Sequence, residues 1–269
     1  MGRHHDNGEN LKKSAYKALW EQKLPEEITW WKEWIASQGL EYGEDFPSRL
    51  DPERPLQPHI GALLDHVNTR PLRILDVGAG PLTCLGKIYR GESLEITAVD
   101  PLADVYDAIL RDAKIRPLIP TTWCHGELLE ERFALNTFDL VYAQNALDHS
   151  YDPFRIIVSM IRLTKPGQFV MLEHRQDEAE RARYTGLHQW NFALREGNFI
   201  IWNPSYVVNV TDILRNFVTI DNEFNPAVDW LVTKIQKHSD PPMGLGIADS
   251  VPTRHGWPWL RKGNTNFEV

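Results

Sequence analysis

The sequence ILDVGAGPLT, residues 74–83, decides the fold class of this chain. A short apolar run ends at Val77 and is followed at once by a turn that contains Gly78 and Gly80. Such a run is typical of a strand that is buried on both faces of a parallel sheet. Glycine lets the backbone pass close to a ligand at a place where a Cβ atom would collide. We therefore expect a buried strand that ends in a ligand-binding turn.

Further apolar runs of strand length alternate with helical segments, most clearly Pro153–Leu163. This alternation predicts parallel βαβ units in a doubly wound α/β sheet. Two late runs follow each other without a helix and predict an antiparallel hairpin. The seven predicted strands are 72–77, 94–99, 120–124, 138–143, 169–172, 217–222 and 230–236. The expected fold is a Rossmann-like, seven-stranded, mostly parallel sheet with a terminal antiparallel hairpin and N-terminal helices.

The regions outside the sheet are expected to have separate roles. Residues 1–70 form a helical extension or lid, residues 71–238 form the main domain, and the Pro- and Gly-rich tail 239–269 wraps the surface. A helix is predicted to begin at Pro25, and another to run from His59 to Asn68. The aromatic stripes of the first helix must be covered by packing on the main domain or on a partner subunit. Alternatively, this helix roofs a pocket.

Composition limits the classes of function. The formal net charge is −8 and no dense Lys/Arg run occurs, which argues against nucleic acid as a partner. Cys84 and Cys124 form neither a disulfide framework nor a CxxC metal motif, which fits a reducing compartment. No apolar stretch is long enough to span a bilayer, and the N-terminus has no apolar signal core. We expect a cytoplasmic protein without a membrane partner.

Two acidic residues narrow the ligand of the glycine turn. Asp76 stands at the strand end, where a carboxylate can bind a cationic amino group. Asp100 ends the next strand, about twenty residues after the turn, at the distance from which an acidic side chain accepts bonds from ribose hydroxyls. Pro81 removes a backbone amide and Thr83 stands where a pyrophosphate cradle prefers a small residue. The turn therefore departs from the dinucleotide pattern.

Four stretches resemble motifs of the class I S-adenosylmethionine-dependent methyltransferases. ILDVGAGPLT resembles motif I, and AVDPLAD at 98–104 resembles the second motif. HGELL at 125–129 is similar to the stretch that borders adenine, and FDLVYAQNALDHSYDP at 138–153 is similar to the fourth-strand motif with its loop. The likeness covers roughly residues 70–175, and the order of the motifs is more specific than any single motif. It implies S-adenosylmethionine as the cofactor.

The resemblance also implies roles by position. The glycines would approach the methionine part of the cofactor, Asp76 its amino group, and Asp100 the ribose, with Leu102 against the adenine. Glu127 or its neighbouring backbone would reach the adenine amino group. The predicted cofactor-binding residues are Asp76, Gly78, Ala79, Gly80, Asp100, Pro101, Leu102, Gly126, Glu127, Gln144 and Asn145. The last two would flank the sulfonium. The structural alternatives are a helix cap for Asp100 and a solvated charge for Glu127.

The predicted chemistry is methyl transfer by in-line displacement, for which the protein aligns the acceptor and excludes water. A hydroxyl acceptor must also lose its proton, and a positioned histidine is the usual base near neutral pH. His149 is the candidate general base because it lies on the loop after the fourth strand, beside Asp148. Alternatively, His149 caps the following helix or supports the loop.

An insertion at about 174–212 is rich in aromatic, amide and histidine side chains and is expected to build the acceptor pocket. Such a mixture suits a small or saccharide-like hydroxylated acceptor. The candidate substrate-binding residues are His174, Tyr184, His188 and Trp190. The alternative is an ordinary β-hairpin with a small core.

Several questions concern the metal, the reaction and the oligomeric state. Asp148, His149, His174 and His188 lie on loops at one sheet edge, but none of them has close i, i+4 ligand spacing, so we expect no metal. The prediction is an O-methyltransferase, and N- or C-methylation is the nearest alternative. A nicotinamide-dependent oxidoreductase and a non-catalytic cofactor-binding subunit are alternatives of other classes. The Trp-rich helices also leave a homodimer open.

Overall fold

The structure is a computed structural model that describes residues 6–41, 43–246 and 251–252. The His- and Arg-rich start and most of the Pro- and Gly-rich tail lie outside the described residues. The helices are α1 Asp6–Ala36, α2 Asp45–Arg49, α3 Pro58–Gly61, α4 Ala103–Asp112, α5 Leu129–Arg132, α6 Pro153–Leu163, α7 Glu178–Arg181 and α8 Val210–Leu214. None of the helices in these ranges has the length and apolar character needed to cross a membrane.

The strands form one large sheet, a second sheet and a small hairpin. They are β1 Arg73–Val77, β2 Ile88–Tyr89, β3 Glu92–Ser93, β4 Glu95–Asp100, β5 Thr121–Trp123, β6 Phe138–Gln144, β7 Thr164–Arg175, β8 Asn191–Arg195, β9 Asn198–Trp202, β10 Tyr206–Asn209, β11 Val218–Asn225, β12 Trp230–Lys237 and β13 Val251–Pro252. Three 3-10 turns, at Ala62–Leu64, Gly126–Leu128 and Leu147–His149, complete the described elements.

The large sheet has seven strands in the order β11-β12-β7-β6-β1-β4-β5. Neighbouring strands are parallel except that β12 runs antiparallel to both β11 and β7. This arrangement confirms the predicted mostly parallel sheet with an antiparallel hairpin at one end. The chain moves outward from β1 to β4 and β5, and then returns to β6 on the other side of β1. The carboxyl ends of β1, β4 and β6 therefore border one crevice, where open α/β sheets bind ligands.

Helix α6 has the bounds that its sequence pattern predicts. The Asp152 side chain accepts a hydrogen bond from the Arg155 backbone N–H at 3.1 Å, and Pro153 stands in the first turn. Both features stabilise a helix start, because the first N–H groups have no partner inside the helix. The apolar face of α6 joins the main core with β6 and β7. The helix thereby fixes the loop that precedes it, at the carboxyl end of β6.

Helix α1 differs from the prediction, because it passes through Pro25 instead of beginning there. A proline inside a helix leaves one carbonyl, that of Glu21, without its usual N–H donor. Glu21 and Pro25 are both exposed, so water can bond to this carbonyl. The C-terminal half of α1 buries Trp34 and Ile35 in an apolar cluster with α4. This packing stabilises the continuous helix against the local cost of the proline.

The predicted helix from His59 to Asn68 is shorter in the structure. It consists of α3 and the 3-10 turn that ends at Leu64. The Tyr89 hydroxyl donates a hydrogen bond to the Gly61 carbonyl at 2.9 Å. In a continuing α-helix this carbonyl would accept from the N–H four residues later. Tyr89 thus contacts the carbonyl that an extension of the helix would use as an acceptor.

The insertion before the last strands forms most of a second, four-stranded sheet in the order β13-β10-β9-β8. Trp190, Phe192 and Phe199 are fully buried and belong to the main hydrophobic core. The alternative interpretation of the insertion was a β-hairpin with a small core of its own. Strands β8 and β9 do form a hairpin, but Phe192 and Phe199 pack in the core of the main domain. The insertion thus uses most of its aromatic residues for packing.

Candidate cofactor and acceptor site

A cavity of about 890 Å³ opens at the carboxyl ends of β1, β4 and β6. Every residue predicted to bind the cofactor lines this cavity except Gly80. The volume lies within the range of small-molecule sites in proteins. Asp76 and Asn145 are about 70 positions apart in the sequence, and they meet here because the parallel strands end at one edge of the sheet. The motifs and the topology therefore converge on one site.

The glycine turn adopts a conformation that disfavours other residues. Gly78 and Gly80 have φ angles of +72° and +64°. A Cβ atom on Gly78 would lie 2.4 Å from the Ala146 Cβ, and one on Gly80 would lie 2.8 Å from the Trp31 ring. The turn is thus closed from one side by the loop after β6 and from the other by α1. Protein neighbours exclude a side chain here before any ligand is considered.

We expect Gly78→Ala to destabilise the protein, because it combines a left-handed φ with a contact that backbone shifts must relieve. A cost of about 2–3 kcal/mol would lower the melting temperature by roughly 5–10 °C. Gly91→Ala is the matched control, since Gly91 has a φ of +79° and nothing within 4 Å of its Cβ position. Differential scanning fluorimetry of both variants separates the cost of the left-handed φ, which both share, from the cost of the close contact at Gly78. Equal melting temperatures would refute the close contact.

Asp76 is buried at the end of β1 and belongs to the cavity wall. The Thr83 hydroxyl donates to its Oδ2 atom at 2.5 Å. Burial raises the pKa of Asp76 to about 6, although the Thr83 hydrogen bond and the charges of Arg49 and Lys87 oppose this shift. A nearby ligand ammonium would favour the ionised carboxylate. Thr83, which marked the departure from the dinucleotide pattern, therefore holds this carboxylate in place.

Asp100 joins the glycine turn to the start of α4. Its Oδ2 accepts from the Gly80 N–H at 3.2 Å, and its Oδ1 accepts from the Leu102 N–H at 2.8 Å. The bond to Leu102 resembles the helix-capping alternative, but the carboxylate also lines the cavity. Burial raises the pKa of Asp100 to about 7, against the effect of the two backbone hydrogen bonds. Hydroxyl groups of a ribose would stabilise the charged form, so the residue suits its predicted role.

Glu127 is buried and is not the solvated charge of the alternative interpretation. Its Oε1 accepts from the backbone N–H groups of Tyr151 and Asp152 at 3.0 and 3.1 Å. Burial raises the pKa of Glu127 to about 7 despite these bonds. The side chain therefore ties the loop after β6 to the stretch after β5. Its role toward adenine stays a prediction.

The raised pKa values predict how the stability of the ligand-free protein depends on pH. Folded Asp100 and Glu127 hold protons up to about pH 7, whereas carboxyls of the unfolded chain lose them near pH 4. The contribution of these two carboxyls to stability is therefore expected to fall as the pH rises from about 4 to 7, since the folded state binds more protons at them. Asp100→Asn should flatten this fall. Urea titrations at several pH values measure it, and parallel profiles for both proteins would contradict the expectation.

Helix α1 forms the roof of the cavity as well as packing on the domain. Trp20 lies against His125 with ring centroids 5.2 Å apart, and the Trp31 Nε1 donates to Glu27 Oε1 at 2.8 Å. The wall residues from α1 are Trp20, Glu27, Trp30, Trp31 and Trp34. The aromatic side chains of α1 thus contact both the main domain and the cavity. Glu27 was missed, although its position four residues before Trp31 was a signal for a polar contact on the same face.

Asp148, His149 and His188 meet at the cavity, where the two histidines line the wall and Asp148 is buried beside them. The His188 Nδ1 lies 2.7 Å from Asp148 Oδ2, and the His149 Nε2 lies 3.1 Å from His188 Nδ1. The other ring nitrogen of His149, Nδ1, faces Glu27 Oε2 at 3.7 Å. Burial opposes ionisation of Asp148, but His149 and His188 outweigh it and hold its pKa at about 2. We name these three residues the His–Asp cluster.

The other predicted acceptor residues do not line the cavity. His174 is buried and stacks on Phe192 with ring centroids 4.1 Å apart, and burial lowers its pKa to about 4. Tyr184 accepts a hydrogen bond from Asn191, and Trp190 donates one to the Ser150 carbonyl. These contacts hold the second sheet against the domain. Of the predicted acceptor residues, the structure therefore brings His188 alone to the cavity wall.

Comparison with known proteins gives a family for the central part of the chain. Residues 75–172 match the model of a family described as a methyltransferase domain. An uncharacterized methyltransferase of Schizosaccharomyces pombe is 32% identical over 105 residues, which are 36% of this chain and 38% of that protein. The match therefore spans well under half of the relative's length.

Solved structures of methyltransferases also align with the chain. Phosphoethanolamine N-methyltransferase 2 of Haemonchus contortus, in complex with S-adenosyl-L-methionine, is 16% identical, with a TM-score of 0.47, over 78% of this chain and 56% of that chain. The CMeT domain of the citrinin polyketide synthase is 18% identical, with a TM-score of 0.43, over 64% of this chain and 47% of that chain. Likenesses at this level carry no conclusion about the acceptor.

The family match includes the strands that carry Asp76 and Asp100 and the loop that carries His149. It thus covers the same residues that the motifs single out and that the cavity brings together. Residues 75–172 are therefore a class I methyltransferase domain, and its cofactor is S-adenosylmethionine.

Proposed function

We propose that this protein methylates a hydroxyl oxygen of a small or saccharide-like acceptor. The observation that supports it is that His149 and His188 of the His–Asp cluster line the same cavity as the predicted cofactor residues. A hydroxyl acceptor needs a proton acceptor beside the reacting oxygen, and an imidazole is suited to this near neutral pH. Here two imidazoles and a carboxylate stand together at the predicted acceptor end.

The cofactor supplies an electrophilic methyl group on a sulfonium, and the chain's own residues hold it and exclude water. Asp100 would accept hydrogen bonds from the ribose, and Asp76 would attract the amino group of the methionine part. The aromatic side chains of α1 would cover the site, because Trp20 and Trp31 form part of its roof. Exclusion of water protects the electrophile and strengthens charge interactions in the site.

His149 is the group to which the acceptor would give its proton. Its Nε2 faces Asp148 and His188, so a hydrogen on Nε2 leaves Nδ1 as the basic atom. Asp148, buried and held ionised, would stabilise the imidazolium that forms. Glu27, opposite Nδ1, would bring a second carboxylate close to the developing positive charge. The hydroxyl proton thus moves to Nδ1 while its oxygen gains the methyl group.

Methylation of an amine is the second candidate. Two carboxylates, Glu27 and Glu178, line the cavity together with Trp30 and Trp230. Carboxylates and aromatic faces attract a cationic ammonium group. An amine acceptor would have to lose a proton before transfer, which His149 can also accept.

The test is transfer of a labelled methyl group from S-adenosylmethionine to a panel of glycosides, small alcohols, phenols and amines, with mass spectrometry of the products. A methyl ether, formed only with active protein, supports the proposal. An N-methyl product establishes the second candidate instead. No transfer to any acceptor, with S-adenosylhomocysteine still bound, supports a non-catalytic cofactor-binding subunit.

A further inference from the structure

Three atoms of the His–Asp cluster converge on one point. Asp148 Oδ2 lies 2.7 Å from His188 Nδ1 and 3.4 Å from His149 Nε2. The two ring nitrogens lie 3.1 Å apart. Each atom belongs to a different side chain, and each carries a lone pair when it is not protonated. The three atoms therefore form a compact triangle of possible ligands, of which the two histidines line the cavity.

Protons alone do not satisfy all three contacts of this triangle. If the His188 Nδ1–H donates to Asp148, as the short distance indicates, it does not also donate well to His149. A hydrogen on His149 Nε2 then has only the longer contact with Asp148, and the two ring nitrogens face each other without a proper bond. Asp148 Oδ1 is also buried and has no hydrogen-bond partner among the described residues. The Asp148 carboxylate can therefore still act as a ligand or accept a further hydrogen bond.

We propose that Asp148, His149 and His188 form a binding site for one divalent transition-metal ion. A point about 2.1 Å from all three atoms lies just outside the plane of the triangle, and this is the usual distance from zinc to imidazole nitrogen and carboxylate oxygen. The ligand atoms lie within 4.8 Å of one another. This site is contrary to our expectation, which gave more weight to the missing i, i+4 spacing than to the shared sheet edge. Here a 39-residue separation is closed by the fold.

The ligand types favour borderline metal ions over hard ones. Two imidazoles and one carboxylate suit Zn²⁺, Co²⁺ or Fe²⁺, whereas Ca²⁺ and Mg²⁺ prefer oxygen ligands. Glu27 faces the free nitrogen of His149 at 3.7 Å, which is the place of the carboxylate that orients many metal-bound histidines. Three protein ligands on one side leave coordination positions open on the other, as in catalytic sites.

The use of this ion rests on the proposed function. An acceptor hydroxyl at an open position would have its pKa lowered by the cation, and its proton would leave to solvent. In that form His149 is a ligand, so its role as the proton acceptor belongs to the metal-free protein. The two forms are separable by experiment, because metal binding is measured without any acceptor.

The experiment titrates chelator-treated, untagged protein with CoCl₂ and ZnCl₂ by calorimetry, with the visible absorption of bound Co²⁺ as a second readout. The protein carries His4→Ala and His5→Ala to remove the adjacent histidine pair at the N-terminus. We expect one ion per chain, with MgCl₂ giving no binding. His188→Ala and His149→Ala should each weaken binding about 100-fold or more, because each ligand carries a large share of the binding free energy.

His66→Ala is the matched control, since His66 is exposed and does not line the cavity. It should bind Co²⁺ as the parent does. Melting temperatures and S-adenosylhomocysteine affinity verify that each variant is folded. If His188→Ala is not folded, His188→Gln replaces it. Absence of 1:1 binding, or equal affinity in parent and His188→Ala, would overturn the site. Metal binding without methyl transfer to any acceptor would keep the site and refute the proposed function.

Discussion

Replacing His149 by glutamine is expected to lower methyl transfer to a hydroxyl acceptor by about 10²–10⁴-fold, with little change in cofactor affinity. The range is the usual contribution of a general base. Glutamine keeps a polar side chain beside Asp148 and His188 but does not accept the proton at neutral pH. The measurement is single-turnover transfer of labelled methyl in the presence of a chelator, so that the metal-free protein is tested.

His66→Gln serves as the control for this substitution. His66 is exposed, and its ring lies near that of Phe169, with centroids 6.2 Å apart. It should transfer methyl at the parent's rate. If His149→Gln stayed within about threefold of the parent, or if the chelator alone abolished transfer, His149 would not be the free base.

Asp100→Asn is expected to weaken S-adenosylhomocysteine binding by about 100-fold, or about 2.7 kcal/mol. The ionised carboxylate already accepts the N–H groups of Gly80 and Leu102, and it would also accept the ribose hydroxyls. The asparagine amide offers one oxygen instead of two and turns an N–H₂ group toward a backbone donor. Calorimetric titration measures the loss directly.

The binding of the adenosyl ligand should also release protons. The pKa of free Asp100 is raised by burial to about 7, and hydrogen bonds from a ribose would stabilise the charged form. Titrations near pH 6.5 in buffers of different ionisation enthalpy detect this release, and Asp100→Asn should reduce it. An Asp104→Asn variant is the control, because Asp104 is exposed on α4. Equal affinities for Asp100→Asn and the parent would remove Asp100 from the cofactor site.

The sequence was sufficient for the sheet because each buried strand is a short apolar run bounded by turn residues. Phe138–Gln144 and Glu95–Asp100 differ from their predicted bounds by one residue at most at each end. Local rules were less reliable for α1. Pro25 predicts a helix start, but burial of Trp34 and Ile35 against α4 outweighs the local preference. Tertiary packing of this kind has no signature within a short window.

The cofactor half of the site was predictable, since its residues belong to motifs that end neighbouring parallel strands. The acceptor half was less so. Composition marked the insertion 174–212 as a pocket, yet it does not tell which aromatic residues point into the core, and Trp190 is fully buried. The partnership of His149 with Glu27 joins residues more than a hundred positions apart. Only the fold brings such pairs together.

The most direct test of S-adenosylmethionine as the cofactor is calorimetric titration of the purified protein with S-adenosylmethionine, S-adenosylhomocysteine and NADH. The cavity at the glycine turn is expected to bind both adenosyl ligands with about micromolar affinity, at one site per chain, and not to bind NADH. If NADH bound and neither adenosyl ligand did, the cofactor would not be S-adenosylmethionine, and a nicotinamide-dependent oxidoreductase would be favoured.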